Sequence, residues 1–341
     1  EPRFSWPDLI AAKDKEIARL EAIYRKLLND AGARVLDGRA TLADEHTVVV
    51  DGRRSTAATI LVATGGWAVK PAIAGAEFAI TSDEAFHLDA LPRRVIVLGG
   101  GYVACEFAGI FNGLGAEVTL AYRGDALLRG FDGDVRRHLG EEIQRKGVKL
   151  VLGAAPARIE RRGADLAVVL GDGREIVADA VMAATGRHPN TAGLGLEAAG
   201  VKLAADGAVA VDEWSRSSAA HIYAVGDVTN RVNLTPVAIK EGHAFADTLY
   251  GGRPAKADHR NVAHAVFSQP GVACVGLSEE DARRQGGEVR IFRSRFRPLK
   301  NTLSGRQEFT LVKLVVDAAS DRVLGAHMVG PDAAEIIQGL A

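Results

Sequence analysis

Apolar residues recur at helical spacing near the start of the chain, at Leu9, Ile10, Ile17, Leu20, Ile23, Tyr24, Leu27 and Leu28. The preceding Ser-Trp-Pro-Asp, with Pro7 in the first turn, supplies a helix start. The spacing predicts one long amphipathic helix. Beyond it the texture changes to short β-rich runs at residues 34–36, 47–50 and 59–62, separated by turns such as Asp51-Gly52, which predict a small meander. A linker at 69–75, holding Pro71, follows.

From Arg93 onward strand and helix periods alternate. Residues 95–98, 118–121 and 148–152 read as strands, and 103–114 and 132–146 as helices. This is a βαβαβ series, whose helical crossovers imply a parallel sheet. Strands follow at 158–160, at 166–169 and around Ile176, across the turn Gly171-Asp172-Gly173, and 180–184 closes the unit. Next come a strand at 207–211, the run from Ile222 to Asp227 and a helix over 236–249. From about Pro254, strands at 263–267, 289–293 and 310–316, with helices starting at Ser278 and Asp332, read as a separate α+β domain. Two apolar strands end alike, in Ala63-Thr64-Gly65 and Ala184-Thr185-Gly186. A glycine there lets the chain turn sharply off the strand end, where open α/β sheets place ligands.

Composition mainly excludes. The 341 residues, 47% hydrophobic and 25% charged, suit a globular protein of two or three domains. With 42 basic against 43 acidic residues the net charge is −1, so no global field recruits nucleic acid or an anionic membrane. Cys105 and Cys274 are too few for a disulfide framework and too far apart for a C-x-x-C motif or a paired metal half-site. Both are expected to be small buried residues, and their scarcity points to a reduced, cytoplasmic protein. No apolar run approaches the roughly 18 residues that span a bilayer. The chain opens on Glu1 and stops at Ala341 inside an amphipathic run, 332–340, and so reads as an internal portion of a longer protein.

The most specific chemistry follows the strand at 95–98. Gly99-Gly100-Gly101-Tyr102-Val103-Ala104 fits G-x-G-x-x-A between a strand and a helix, the context a dinucleotide-binding loop requires. Gly99 permits the tight turn, Gly101 lets a pyrophosphate approach the backbone, and small Ala104 lets helix and strand pack closely. Helix N-terminal N–H groups, Val103 among them, then meet the phosphates. The next strand ends in Ala121-Tyr122-Arg123, without the acidic residue that accepts from a ribose 2′-hydroxyl. Arg123 and Arg129 can instead clamp a 2′-phosphate, which selects NADPH; two solvated surface arginines are the alternative.

Several motifs together carry a resemblance. They are Ala63-Thr64-Gly65-Gly66, residues 99–107, the Arg123/Arg129 pair, and the segments 184–190, 223–228, 234–238, 266–270, 296–306 and 325–331. On these the chain resembles the flavoprotein disulfide reductases over essentially its whole length, and within them the branch that acts on glutathione disulfide. The resemblance implies Rossmann-like FAD- and NADPH-binding domains, the second inserted in the first, plus a C-terminal α+β dimerisation domain. It assigns residues 1–75 and 202–254 to the FAD domain, 76–201 to the NADPH domain and 255–341 to dimerisation. FAD and NADPH are the implied cofactors, glutathione disulfide the substrate, and a homodimer the assembly.

By the same resemblance Tyr102 covers the flavin and swings aside for nicotinamide, and Glu106 pairs with a lysine upstream of Glu1. A loop aromatic and a helix-surface glutamate are the respective alternatives. Asp227, after Gly226, matches the aspartate that hydrogen-bonds the ribityl chain. Leu234 and Thr235 match a backbone segment near the flavin ring, at a helix N-terminus that would stabilise negative charge there. Thr64, Gly65, Gly186 and Arg187 lie at the strand ends on the cofactor side; Arg187 could equally cap strand-end carbonyls. Tyr24 and Arg306 match positions lining the disulfide cleft, Arg306 as partner of a glutathione carboxylate, although Tyr24 could equally be a core aromatic.

Two departures matter. The family's redox cysteines stand four residues apart, a spacing Cys105 and Cys274 lack. Its catalytic His-Glu pair sits on a His-Pro-Thr segment that none of the nine histidines opens, His188-Pro189 being followed by Asn190. The first FAD glycine motif is missing too, so the polypeptide alone is expected not to turn over. Dihydrolipoamide dehydrogenase, trypanothione- and mercuric-type reductases, or a non-catalytic NADPH-binding module, remain as other readings.

Overall fold

Val95, Ile96, Val97 and Leu98 are apolar on both faces, which suits a parallel strand covered from both sides. In the computed structural model, which describes residues 4–341, this strand, Arg94–Leu98, is central in a four-stranded sheet. The order is Ala180–Ala183, Arg94–Leu98, Glu117–Tyr122, Lys149–Leu152, all parallel. Helices Tyr102–Gly113 and Gly133–Arg145 make the crossovers. A three-stranded antiparallel sheet, Pro156–Arg162, Asp165–Leu170 and Glu175–Ala178, packs with it through Ile96, Leu98, Val168, Leu170 and Val181.

The chain divides into two compact units. The first holds residues 68–186 and 260–341, with residues 4–7, and includes these sheets. It also contains a five-stranded antiparallel sheet, ordered His264–Val266, Val272–Gly276, Val323–Val329, Thr310–Asp317, Val289–Phe296. The Ala333–Leu340 helix covers one face of that sheet through Ala333 and Ile337, against Ala273, Ala326 and Met328. The strands at 272–276 and 323–329 escape the sequence pattern. The second is interrupted by Gly325, where a Cβ would lie 1.9 Å from the Leu277 carbonyl oxygen, so close packing forces a residue with low strand propensity.

Lys313, on the Thr310–Asp317 strand, is 2% exposed. Its ammonium lies 2.8 Å from carboxylate oxygens of Asp132, Asp134 and Glu279. Asp132 is the N-cap of the Gly133–Arg145 helix and also accepts the Glu279 backbone N–H at 3.0 Å. Glu280 in turn accepts the Gly133 N–H at 3.1 Å. Two helix starts thus satisfy each other's orphan donors around one buried cation.

The second unit holds residues 8–67 and 187–259. A three-stranded meander, Ala40–Leu42, Thr47–Val50 and Arg53–Thr56, accompanies the parallel pair Ile60–Val62 and Ile222–Ala224 and the Thr235–Leu249 helix. Leu194, Leu196, Ala199 and Val201 pack here with Ile60, Val62 and Ile222, so residues 187–201 belong to this core.

Two expected strands are absent. Residues 34–36 are irregular, because Gly32 and Gly38 turn the backbone at φ 74° and 139°, and pairing begins at Ala40. Residues 207–211 divide their hydrogen bonds, Val209 N–H donating to Val228 and Ala210 N–H to Lys202, so no single partner strand forms. The long helix forms as Trp6–Asp30, yet Trp6 is its only buried residue. Most of its apolar stripe lies exposed, Tyr24 at 67%, with Ile10 and Leu20 half-buried.

Candidate functional site

The glycine loop is shaped by close approaches rather than by flexibility alone. Gly99 has φ 143°, and a Cβ there would lie 2.2 Å from the Ala184 carbonyl oxygen. Gly100 is overlain by the Tyr122 ring, which a Cβ would meet at 2.4 Å; the same ring crowds Gly124. At Gly101 a Cβ would meet nothing within 4 Å. The loop is therefore closed toward protein at its first two glycines and open at the third, the one expected to face a pyrophosphate. Ala104 is fully buried and Val103 half-buried. No side chain caps the Tyr102–Gly113 helix at Gly101, and an uncapped helix start is an end that attracts an anion.

The arginine loop is tied to the glycine loop. Leu128, at φ 51°, donates its N–H to the Gly100 carbonyl at 2.7 Å. Arg136 holds the same loop from the helix behind it, donating to the carbonyls of Leu127 at 2.8 Å and Ala126 at 2.9 Å. Arg123 and Arg129 are exposed and, among the described residues, neither has a hydrogen-bond or ion-pair partner. Sequence reasoning missed Tyr122, Leu128 and Arg136. Arg136 carried no usable signal, being one of two adjacent arginines on a helix.

Tyr102 is 44% exposed at the helix start. One turn on, Glu106 is half-buried and its carboxylate accepts the Phe267 N–H at 2.9 Å. Burial raises its pKa above the ordinary carboxylate value, with that hydrogen bond opposing. The cysteines differ from expectation in part: Cys105 is buried, whereas Cys274 is only partly so. Burial pushes both thiols up to about 12, so neither is a ready nucleophile.

In the second unit, parallel strands Ile60–Val62 and Ile222–Ala224 end side by side, and Gly65 and Gly226 turn away at φ 69° and 74°. Asp227 is half-buried, and its carboxylate has no partner among the described residues. Leu234 is the N-cap of the Thr235–Leu249 helix, again without a side-chain cap. Thr64 donates to the Asn190 carbonyl at 2.7 Å, and Arg187 to the Gly66 carbonyl at 2.5 Å. Arg187 thus does cap a strand-end carbonyl. In the first unit Thr185 similarly donates to Val69 at 3.0 Å, beside Gly186 at φ 150°. The repeated Ala-Thr-Gly is therefore a strand-end pin in both units. Tyr24 belongs to the second unit and Arg306 to the first; both are exposed.

Residues 3–242 match the pyridine nucleotide-disulphide oxidoreductase family, and residues 262–341 its dimerisation domain. Glutathione reductase of Burkholderia cepacia is 56% identical over 337 residues, covering 99% of this chain and 75% of that protein. Trypanothione reductase of Leishmania donovani is 41% identical, covering 98% and 72%. Among solved structures, the HOCl-induced flavoprotein disulfide reductase RclA from Escherichia coli aligns with a TM-score of 0.90 at 28% identity, over 97% of this chain and 77% of that one.

Proposed function

The chain belongs to the pyridine nucleotide-disulphide oxidoreductase family, and from that premise we propose that it serves the NADPH-dependent reduction of glutathione disulfide through FAD. The observation that carries the cofactor choice is the pair of exposed, unpartnered arginines, Arg123 and Arg129, tied to the glycine loop through Leu128.

The residues present fit both cofactors. For NADPH, the uncapped helix start and the open face at Gly101 suit the pyrophosphate, and the two guanidinium groups suit the 2′-phosphate. Tyr102, Val103 and Ala104 complete that turn, and Gly186 ends the neighbouring strand. For FAD, the free Asp227 carboxylate can accept from ribityl hydroxyls, and the uncapped start at Leu234 and Thr235 offers positive potential to a reduced ring. When bound, FAD supplies the hydride and electron transfer that links NADPH to a disulfide. Tyr102, exposed at the helix start, would cover the flavin face and give way to nicotinamide. Glu106 presents a partly desolvated carboxylate, a setting in which a cation binds tightly. Thiol–disulfide exchange is not assigned to Cys105 or Cys274, given their spacing and raised pKa.

Within this reading Tyr24 and Arg306 are each assigned to the disulfide substrate, and the domains follow the two compact units, 8–67 with 187–259 for FAD, 68–186 for NADPH and 260–341 for a homodimer interface, which moves the expected boundary at 201 back to 186. Cysteine usage favours the cytoplasm, and no helix among the described residues is long and apolar enough to cross a membrane. The test is steady-state turnover of glutathione disulfide by the full-length protein, comparing kcat/KM for NADPH and NADH. A preference for NADPH is expected, and a preference for NADH would overturn the reading.

A further inference from the structure

The second unit holds a buried carboxylate that the function above does not use. Glu241, on the Thr235–Leu249 helix, is 1% exposed. Its Oε2 accepts the Gly226 N–H at 2.7 Å. Its Oε1 meets Arg231 Nη2 at 2.9 Å and His259 Nε2 at 2.7 Å. A carboxylate so deeply buried is tolerable only with such a full set of partners. Arg231 reaches onward, to Ser215 Oγ at 2.9 Å and Thr229 Oγ1 at 3.3 Å, so its guanidinium braces the far end of the same segment. Gly226 itself abuts the helix: at φ 74° a Cβ there would lie 3.1 Å from Ala238 Cβ.

One side chain therefore joins two pieces of backbone that the sequence separates. The first is the Gly226–Thr229 turn, which carries the unpartnered Asp227 carboxylate. The second is the helix that begins at Leu234 and Thr235. We propose that Glu241, held by Arg231 and His259, is the positioning residue of the flavin-contact segment. It fixes the Val225–Gly226 peptide, one residue ahead of Asp227, so that the carboxylate is set before ligand arrives and little ordering entropy is lost on binding. The inference rests on the reading of Asp227 as an FAD contact.

The test removes flavin from the protein and titrates FAD back into the wild type, Glu241→Gln and Asp227→Ala, following flavin fluorescence, with the apoprotein melting temperature measured alongside. Glu241→Gln is expected to raise the FAD dissociation constant about tenfold, the scale of one buried charge-assisted contact. The flavin-induced rise in melting temperature should shrink correspondingly. Wild-type FAD affinity in Glu241→Gln, with affinity lost in Asp227→Ala, overturns the positioning role and leaves the Asp227 reading standing, whatever the apoprotein melting temperature. Wild-type affinity in both variants overturns the Asp227 reading and the positioning role with it. Should Glu241→Gln fail to fold, His259→Ala carries the test through the less buried partner. A two- to threefold weakening, about half a kcal/mol, supports the role, and unchanged affinity overturns it.

Discussion

Lys313 is 2% exposed with three carboxylates 2.8 Å from its ammonium, whereas Arg123 and Arg129 stand exposed with none. Both sets of cations belong to the first unit, and they serve opposite ends. Burial alone would lower the Lys313 pKa; its hydrogen bonds to Asp132, Asp134 and Glu279 outweigh that and hold it above the ordinary lysine value. Such a cation is committed to architecture. The two arginines spend their charge on nothing within the protein, although Leu128 and Arg136 hold the backbone of their loop. A fixed backbone carrying free guanidinium groups is the arrangement that recognises an anion at little cost in reorganisation. The two sets are also linked in series. Lys313 fixes Asp132 and Asp134 at the start of the helix whose Arg136 braces the arginine loop.

The largest expected effect tests the architectural half. Lys313→Met leaves three carboxylates facing one another in a largely buried space, so the protein should lose about 3–5 kcal/mol of stability, measured by denaturant unfolding. The NADPH-to-NADH preference should survive in the folded fraction. A loss under about 1 kcal/mol, the range of surface ion pairs, would break the comparison.

A smaller effect sharpens it through pH. Burial would raise the Asp134 carboxyl, but Lys313 and Arg293 outweigh it and lower its pKa from 3.8 to about 2; Asp132 and Glu279 are lowered too. A depressed folded value contributes stability that is complete above the unfolded value and lost as pH falls through the folded one. Stability should therefore drop between roughly pH 4 and pH 2, with Asp134 alone accounting for about 2 kcal/mol. Melting temperature against pH should be shallower over that window in Lys313→Met, and equal slopes would contradict the assignment.

The readable parts of the molecule were those whose signal is local. The glycine loop, its strand and its helix lie within one short stretch, and each glycine expectation has a geometric counterpart: Gly99 against Ala184, Gly101 facing open space. The parallel sheet followed from alternating periods. What stayed hidden depends on residues far apart in sequence. Lys313 reads as an ordinary charge inside a strand until Asp132, a separation of 181 residues, is brought beneath it. Glu241 looks like any helix glutamate until Gly226, Arg231 and His259 converge on it. The strand containing Gly325 was masked because its packing need overrides its propensity. Arg187 and Thr64 add a role that only the structure supplies: beside the cofactor-side placement implied by the resemblance, each holds a backbone carbonyl.

The central claim is that free charge at the glycine loop reads the 2′-phosphate. Its most direct test is a binding titration of NADPH and NADH to the wild type and to the Arg123→Ala/Arg129→Ala double variant. NADPH affinity should fall about ten- to thirtyfold, or roughly 1.4–2 kcal/mol, while NADH affinity stays within about twofold, so that the preference collapses. Equal losses for the two nucleotides, or an undiminished preference for NADPH, would contradict the account.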